Sequence, residues 1–280
     1  PRNMYNPKSR EYRHHVETWG DPNAFGYPDF VPMFRAERFD AEAWAELFEQ
    51  AGARFAGPVA EHHDGWAMWD SDKTPWNIVE GPKRDITGEL EKAIRKRGMK
   101  FVTTFHHARN NLWQKPGRDD QLAWTGHYQF VKEHFPTLLE DSERAIMYGY
   151  MPREEFLAMW LGKLSEVIDK YRPDLMWFDS WLDEIPEALR QEYLAYYYNR
   201  AQKWNKEVVV TRKQDDLPLS VSVQDIEKGR ADRLTENFWL TDDTISMGSW
   251  CYTRDLRIKP TSVVLHSLID IVSKNGALLL

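Results

Sequence analysis

One short apolar run, Leu175–Phe178, constrains the fold more than any other stretch of the sequence. It follows the helix breaker Pro173 closely and is followed at once by Asp179. A run of this length between breakers is typical of a central parallel strand covered on both faces. Parallel α/β folds carry their functional groups at the C-terminal ends of such strands. Asp179 is therefore a candidate functional carboxylate, although a helix N-cap or a loop aspartate would give the same pattern.

The rest of the chain alternates between amphipathic helices and short apolar strands. Strands are predicted over 54–60, 99–105, 175–178, 207–211, 221–226 and 238–241, and helices over 40–51, up to Gly98, and over 152–171, 186–204 and 260–273. The first forty residues have no clear period and are predicted to form a packed loop. An aromatic segment surrounds Trp113, Trp124 and Tyr128. No linker or short repeat interrupts the pattern, so residues 1–280 are predicted to form a single domain.

The spacing of apolar residues also predicts which helix faces are buried. The first helix has Asp40 as its N-cap and is predicted to have one apolar face made of Trp44, Leu47, Phe48 and Ala51. The helix that precedes Gly98 is predicted to bury Leu90, Ala93 and Ile94. For the 152–171 helix the buried set is Trp160, Leu164, Val167, Ile168 and Tyr171.

Polar side chains recur where the predicted strands end. The set consists of His62, His63, His106, His107, Asp179, Arg212 and Glu227. A closed barrel collects all such strand ends on one face, which favours a (β/α)8-like TIM barrel over an open doubly wound sheet. No glycine-rich phosphate loop follows a predicted strand, and this argues against a nucleotide-binding fold.

Composition narrows the classes of partner. A formal net charge of −7 argues against a nucleic-acid backbone as the partner. The 13 Trp, 12 Tyr and 13 Phe exceed what a core needs, and stacking on sugar faces is one use for the surplus. A single cysteine, Cys251, excludes an intramolecular disulfide. No apolar run has the length of a membrane span, and no signal peptide is visible.

The adjacent histidines His62 and His63 raise the question of a metal site. Neighbouring residues on a strand point to opposite faces, so they cannot chelate one ion without a bulge. Hydrogen bonds to sugar hydroxyls, or structural packing, fit this spacing better. We therefore predict no metal and no cofactor.

Several motifs together resemble one enzyme family. They are EHHDGWAMWDS at 61–71, GPKRD at 81–85, TFHHARN at 104–110, WFD at 177–179, DIEKG at 225–229 and SKNG at 273–276. In this order they resemble the α-L-fucosidases of glycoside hydrolase family 29, and the similarity covers essentially the whole chain. The resemblance implies a retaining glycosidase on a (β/α)8-like barrel that works without a metal.

The resemblance also implies roles for individual residues. Asp179 corresponds to the nucleophile, with Ser180 in place of the family's glycine. The residues that correspond to sugar-pocket positions are His62, His63, Trp66, His106, His107 and Trp177. Arg212 corresponds loosely to an arginine near the acid/base.

Glu227 is the predicted general acid/base, because it lies within the DIEKG motif as in barrel-type members of the family. Asp225 and Glu236 remain alternatives for this role. The chain departs from the family at Leu240 and Cys251, where a polar residue and a glycine are usual.

The resemblance further implies segments on either side of this sequence. Family members begin with a strand that carries a pocket histidine, and many end with a β-sandwich. The chain is therefore expected to be a catalytic-domain fragment, or the product of an incomplete gene model, that lacks the first strand and the β-sandwich. The expected partner is a fucosylated oligosaccharide or glycoconjugate, not a nucleic acid or a membrane. A secreted or periplasmic location is favoured by the resemblance.

Two carboxylates in unlike settings define the expected mechanism. A retaining enzyme needs an ionised nucleophile and, about 5 to 5.5 Å away, a protonated acid that later acts as a base. Asp179 and Glu227 would fill these roles. Two other functions stay open: a barrel that binds fucose or another carbohydrate without cleaving it, and a retaining hexosidase with a different sugar specificity.

Overall fold

The computed structural model describes residues 2–114 and 128–280 of the chain. Within it the chain divides into two compact units, Pro1–Val208 and Val209–Leu280. The expectation of a single domain stays a prediction. Trp124, from the aromatic segment, lies outside the described residues, whereas Tyr128 is buried in a core cluster with Tyr5 and Tyr148.

The first unit is built from helices that surround short parallel strands. Its helices are α1 (Arg10–Trp19), α2 (Ala41–Gln50), α3 (Ile86–Lys96), α4 (Gln129–His134), α5 (Ser142–Met147), α6 (Arg153–Tyr171) and α7 (Glu187–Lys203). Its strands are β1 (Phe55–Ala56), β2 (Val59–Glu61), β3 (Lys100–Phe105) and β4 (Leu175–Phe178). β3 pairs in parallel with β1 and β2 on one side and with β4 on the other.

The longest helix, α6, positions β4. It buries Trp160, Leu164, Val167 and Ile168, as the helical spacing predicts. Burial of each large apolar side chain stabilises the fold by about 1.5–3 kcal/mol. The helix ends at Tyr171, and the C-cap residue Arg172 has a left-handed φ of 46° that turns the chain towards β4.

Two expectations for the helices of the first unit are wrong. The first forty residues are not a loop, because they contain α1 and the 3-10 helix Tyr27–Met33. α2 does begin at the Asp40 cap, but Trp44 and Leu47 are 50% and 62% exposed. The helix instead buries Ala41 and Ala45, whose short side chains allow close packing on a neighbouring helix.

The strand expected over 54–60 is divided into β1 and β2. Gly57 lies so close to Val102 that an added Cβ would be 1.7 Å from the Val102 carbonyl oxygen. Pro58 follows and has no N–H to donate to a ladder. The close approach and the missing donor interrupt the strand, and β2 resumes at Val59.

The second unit is a four-stranded parallel sheet with one long helix among its described elements. It contains β5 (Val209–Arg212), β6 (Val223–Asp225), β7 (Trp239–Asp242), α8 (Thr261–Ser273) and β8 (Gly276–Leu279). The strands pair in chain order. Over the described parts of both units, no helix combines the length and apolar character needed to cross a membrane.

Candidate active site

In the first unit, backbone hydrogen bonds align the ends of β2, β3 and β4. The His106 N–H donates to the Glu61 carbonyl at 3.0 Å, and the Asp179 N–H donates to the Phe105 carbonyl at 3.1 Å. The residues that follow the three strands therefore emerge side by side at the C-terminal edge. His62, His106 and Asp179 occupy these positions, as the sequence predicted.

Asp179 is paired directly with a histidine. His63 Nε2 lies 3.3 Å from Asp179 Oδ2, and the Asp179 side chain is 18% exposed. The ring of His62 meets that of His63 edge-on, with their centroids 4.7 Å apart. Although the two histidines are adjacent in sequence, His63 turns inward to the carboxylate while His62 remains exposed.

An aromatic wall continues from these histidines. The rings of His62 and His106 are stacked with centroids 4.0 Å apart, and the ring of Trp177 is 5.1 Å from His106. Four of the predicted pocket residues thus form one cluster next to Asp179: His62, His63, His106 and Trp177.

Desolvation keeps this wall largely uncharged. Burial, and then the neighbouring His62, lower the pKa of His106 well below its usual value. Desolvation by the adjacent rings, and then His63, also lower the pKa of His62, although its side chain keeps some contact with solvent. Neutral imidazoles can both donate and accept hydrogen bonds, so they suit the hydroxyl groups of a sugar.

His107 lies in a separate, buried layer. It is 1% exposed, and its Nδ1 is 3.8 Å from Glu61 Oε2. Lys163 Nζ, from α6, donates to Glu61 Oε1 at 2.7 Å, and both of these side chains are almost fully buried. Burial lowers the pKa of His107, and the ammonium of Lys163 adds to this effect. The structure therefore groups His107 with a buried ion pair, apart from the cluster at Asp179.

Trp66 lies on the loop that follows β2, and this loop is supported by contacts that the sequence does not predict. The Tyr27 hydroxyl donates to Asp64 Oδ2 at 2.7 Å, and the Trp66 N–H contacts Asp64 Oδ1 at 3.3 Å. Gly65 has a φ of 77°, and an added Cβ there would be 2.1 Å from the Met147 carbonyl oxygen. Asp64 and Tyr27 are thus supporting residues that sequence reasoning missed, although Asp64 is within the 61–71 motif.

A cavity of about 1,100 Å³ opens beside this loop. His62, Asp64 and Trp66 line it together with apolar side chains that include Phe34 and Met68. Asp179 is not among the lining residues. The cavity is therefore next to the His62 ring, and Trp66 belongs to its wall.

Arg109 is a further residue that the sequence analysis did not single out. Its guanidinium carbon lies 5.6 Å from the centre of the Trp181 ring. Burial lowers the pKa of Arg109, and the negative charge of Asp179 opposes this shift. Its place in the 104–110 motif was the signal that could have identified it.

In the second unit, the cation that contacts Glu227 is Lys213, the neighbour of Arg212. The Arg212 guanidinium donates to the Leu217 carbonyl at 2.7 Å and contacts Asp215 at 3.4 Å. Lys213 Nζ lies 2.9 Å from Glu227 Oε2. Successive residues at a strand end point in different directions, so Lys213 and not Arg212 contacts Glu227. The correspondence of Arg212 to an arginine near the acid/base stays a prediction.

The structure separates the three acid/base candidates. Glu227 follows the C-terminal end of β6, and its side chain is 48% exposed. Asp225 is the last residue of β6, and its side chain is fully buried. Glu236 precedes β7, and its carbonyl is near Asn275, which precedes β8. Because these strands are parallel, Glu236 lies at the edge opposite to Glu227.

No group of three or more His, Cys, Asp or Glu side chains is arranged to hold a metal ion within residues 2–114 and 128–280. The absence of metal and cofactor stays a prediction.

Parallel strands whose C-terminal ends carry a carboxylate, imidazoles and an indole define a class of protein, the α/β barrel enzymes. A family comparison identifies the member of this class. The chain belongs to the α-L-fucosidase family, whose family model matches residues 1–280.

Individual mammalian α-L-fucosidases are also similar to the chain in sequence. The chain is 29% identical over 270 residues to the tissue α-L-fucosidase of Bos taurus, covering 92% of this chain and 51% of that protein. It is 28% identical over 272 residues to the human tissue enzyme, covering 92% of this chain and 52% of that one. The chain thus spans about half the length of these relatives.

Solved structures extend the similarity to the fold. The α-fucosidase of Thermotoga maritima in complex with fucose superposes with a TM-score of 0.71 and 26% identity, over 99% of this chain and 58% of that one. A family 29 α-L-fucosidase from Bacteroides thetaiotaomicron gives a TM-score of 0.64 at 18% identity, over 95% of this chain and 59% of that one, and shows the fold alone. Together with the parallel strand order, these similarities confirm the (β/α)8-like fold class.

Proposed function

We propose that the chain carries the catalytic part of a retaining α-L-fucosidase that releases α-L-fucose from fucosylated oligosaccharides or glycoconjugates. The contact between His63 Nε2 and Asp179 Oδ2, at the C-terminal edge of β4, carries the proposal. Family membership supports it, as does the Thermotoga maritima enzyme, which is described in complex with fucose. A secreted or periplasmic location remains part of the proposal.

In the first step, the Asp179 carboxylate attacks the anomeric carbon of fucose. The glycosidic C–O bond breaks, and Glu227 donates a proton to the departing oxygen. Asp179 and the sugar are then joined by an ester bond. In the second step, Glu227 accepts a proton from water, whose oxygen attacks the anomeric carbon and releases Asp179. Fucose leaves with its original anomeric configuration.

The neutral wall supports binding of the sugar in this scheme. His62, His106 and their neighbour His63 offer nitrogen atoms to fucose hydroxyls. Hydrogen bonds that strengthen as the ring flattens lower the barrier and not only the binding energy. Trp177 offers an apolar face against the sugar.

Replacement of Asp179 by Asn tests the nucleophile. Hydrolysis of an aryl α-L-fucoside should fall by several orders of magnitude, because a covalent nucleophile is lost while the shape is kept. Asp183, which is exposed on the connection after β4, gives a matched control. Asp183→Asn should keep the parental rate. A folded Asp179→Asn protein with near-parental turnover would refute the role of Asp179.

The other two functions are outcomes of the same assay. A panel of aryl glycosides separates fucose from other sugars, so preferred cleavage of a different α- or β-hexoside would indicate another hexosidase. Binding of L-fucose in calorimetry, with no cleavage of any member of the panel, would indicate a binding protein. The proposal expects cleavage of the α-L-fucoside.

Replacement of Glu227 by Ala tests the acid/base. A general acid matters most for a poor leaving group, so cleavage of natural fucosides should fall far more than attack on an activated aryl fucoside. Azide needs no base, so it should restore turnover of the aryl substrate and yield a fucosyl azide of retained configuration. Azide rescue of Asp225→Ala or Glu236→Ala, but not of Glu227→Ala, would assign the acid/base role to the rescued position instead of Glu227.

A further inference from the structure

In the described part of the second unit, Glu227 and two further carboxylates lie within 4 Å of a single ammonium group. Besides its 2.9 Å contact with Glu227, Lys213 Nζ is 3.3 Å from Asp242 Oδ2 and 3.9 Å from Asp225 Oδ2. The side chains of Lys213 and Asp242 are 5% and 10% exposed. A nearly buried ammonium thus faces two nearly buried carboxylates and the exposed side chain of Glu227.

The contact with Lys213 conflicts with the role of general acid that is proposed for Glu227. A general acid must hold a proton before the first step, yet the ammonium that lies 2.9 Å from Glu227 needs a carboxylate to balance its charge. If Glu227 were the sole partner of Lys213, protonating Glu227 would leave a buried ammonium uncompensated. Such a charge is strongly unfavourable in the interior of a protein.

Asp242 resolves this conflict. It is the last residue of β7, next to β6, and its carboxylate reaches the same Nζ atom. Burial raises the pKa of Asp242, and the ammonium of Lys213 opposes this rise, so each group depends on the other for its charge. Asp225 adds a second buried carboxyl group, whose hydrogen bond to Asp242 lowers the pKa of Asp242, whereas the charge of Glu227 raises it.

We propose that Asp242 is a positioning residue that shares Lys213 with Glu227 and keeps the ammonium paired in both charge states of Glu227. While Glu227 holds the acid proton, Lys213 is compensated by Asp242 and Asp225. After the proton has passed to the leaving group, the ammonium also pairs with the ionised Glu227, which then serves as the base. The inference rests on the proposed acid/base role of Glu227.

The pH profile of kcat/KM for an aryl α-L-fucoside tests the proposal on the 280-residue chain. Its alkaline limb reports loss of the proton from the essential acid. In Asp242→Asn, Lys213 has fewer carboxylates and holds the ionised Glu227 more strongly, so this limb should move to lower pH by about 0.5–1 unit. In Lys213→Met, the limb should move to higher pH.

A neighbouring ion pair provides the matched control. Asp243 Oδ2 is 2.6 Å from Lys259 Nζ, and no contact links this pair to Glu227 in the described structure. Asp243→Asn and Lys259→Met therefore remove the same charges nearby and should leave both limbs in place. The shift caused by Asp242→Asn should also shrink in a Lys213→Met background, because Asp242 acts through the ammonium.

The outcomes are distinct. Opposite shifts for Asp242→Asn and Lys213→Met, absent from the control pair, support the proposal. An unmoved limb in folded Asp242→Asn, or an equal shift in Asp243→Asn, overturns it. If Asp242→Asn does not fold, Asp242→Ser replaces it under the same criteria. If azide does not rescue Glu227→Ala, the acid/base assignment fails, whereas rescue of Glu227→Ala without opposite limb shifts refutes the role of Asp242 alone.

Discussion

Lys163→Met is the most informative test of what holds the first unit together. The ammonium of Lys163 and the carboxylate of Glu61 are 2.7 Å apart, and their side chains are only 2% and 1% exposed. Removing one partner leaves a buried charge without compensation, which costs about 3–5 kcal/mol of unfolding free energy. The exposed pair Lys96 and Glu42 has a similar distance of 2.9 Å. Lys96→Met should cost less than about 1 kcal/mol.

Urea unfolding followed by circular dichroism measures both values. Burial raises the pKa of Glu61, and Lys163 opposes this rise. Without the lysine, Glu61 should take up a proton in the folded state more readily than in the unfolded state. The deficit of Lys163→Met should therefore be smaller at pH 5 than at pH 8, because a carboxyl group with a raised pKa loses folded-state stability as pH rises. Equal losses for the buried and the exposed pair would refute the reasoning.

Two further predictions concern the loop that carries Trp66. Gly65→Ala should lower the unfolding free energy by about 1–3 kcal/mol more than Gly52→Ala, because both glycines have a left-handed φ but only Gly65 has a carbonyl 2.1 Å from an added Cβ. Chemical denaturation of the two variants checks this difference, and equal losses would contradict it. Tyr27→Phe removes the 2.7 Å hydrogen bond to Asp64 and should cost about 1.5–3 kcal/mol and raise KM for the aryl fucoside. An unchanged KM would show that Asp64 does not support the pocket.

The parts of the fold that could be predicted are those with strong local signals. β4 has the bounds that its apolar run and the preceding proline indicate, and α6 buries its predicted face. The placement of Asp179 follows from β4 alone, since the residue after a parallel strand lies at the C-terminal edge. In these segments, propensity, periodicity and chain breakers all agree.

Predictions were wrong or incomplete where local signals were ambiguous. α2 carries apolar residues on more than one face, and nothing local indicates that Ala41 and Ala45 would be preferred over Trp44. Arg212 and Lys213 are adjacent cations at one strand end, and only the register of β5 decides which of them reaches Glu227. A shift of one residue exchanges the two directions.

Other parts of the site depend on contacts between distant residues. Glu61 and Lys163 are 102 positions apart, and no sequence motif contains both of them. Asp242 lies beside Asp243 in the sequence, where two carboxylates resemble a solvated turn. The structure instead gives the two aspartates different lysines, Lys213 and Lys259. Tertiary packing alone makes this distinction.

The two candidate catalytic carboxylates occupy electrostatic surroundings of different kinds. Asp179 contacts the imidazole of His63 and interacts with the guanidinium of Arg109, and burial keeps the nearby His106 neutral. Glu227 contacts an ammonium that other carboxylates share. A nucleophile must stay ionised and available for attack, whereas an acid/base must exist in both charge states. An imidazole contact and a guanidinium nearby suit the first requirement, and a cation shared by several carboxylates suits the second, so the local charges agree with the roles proposed for these two residues.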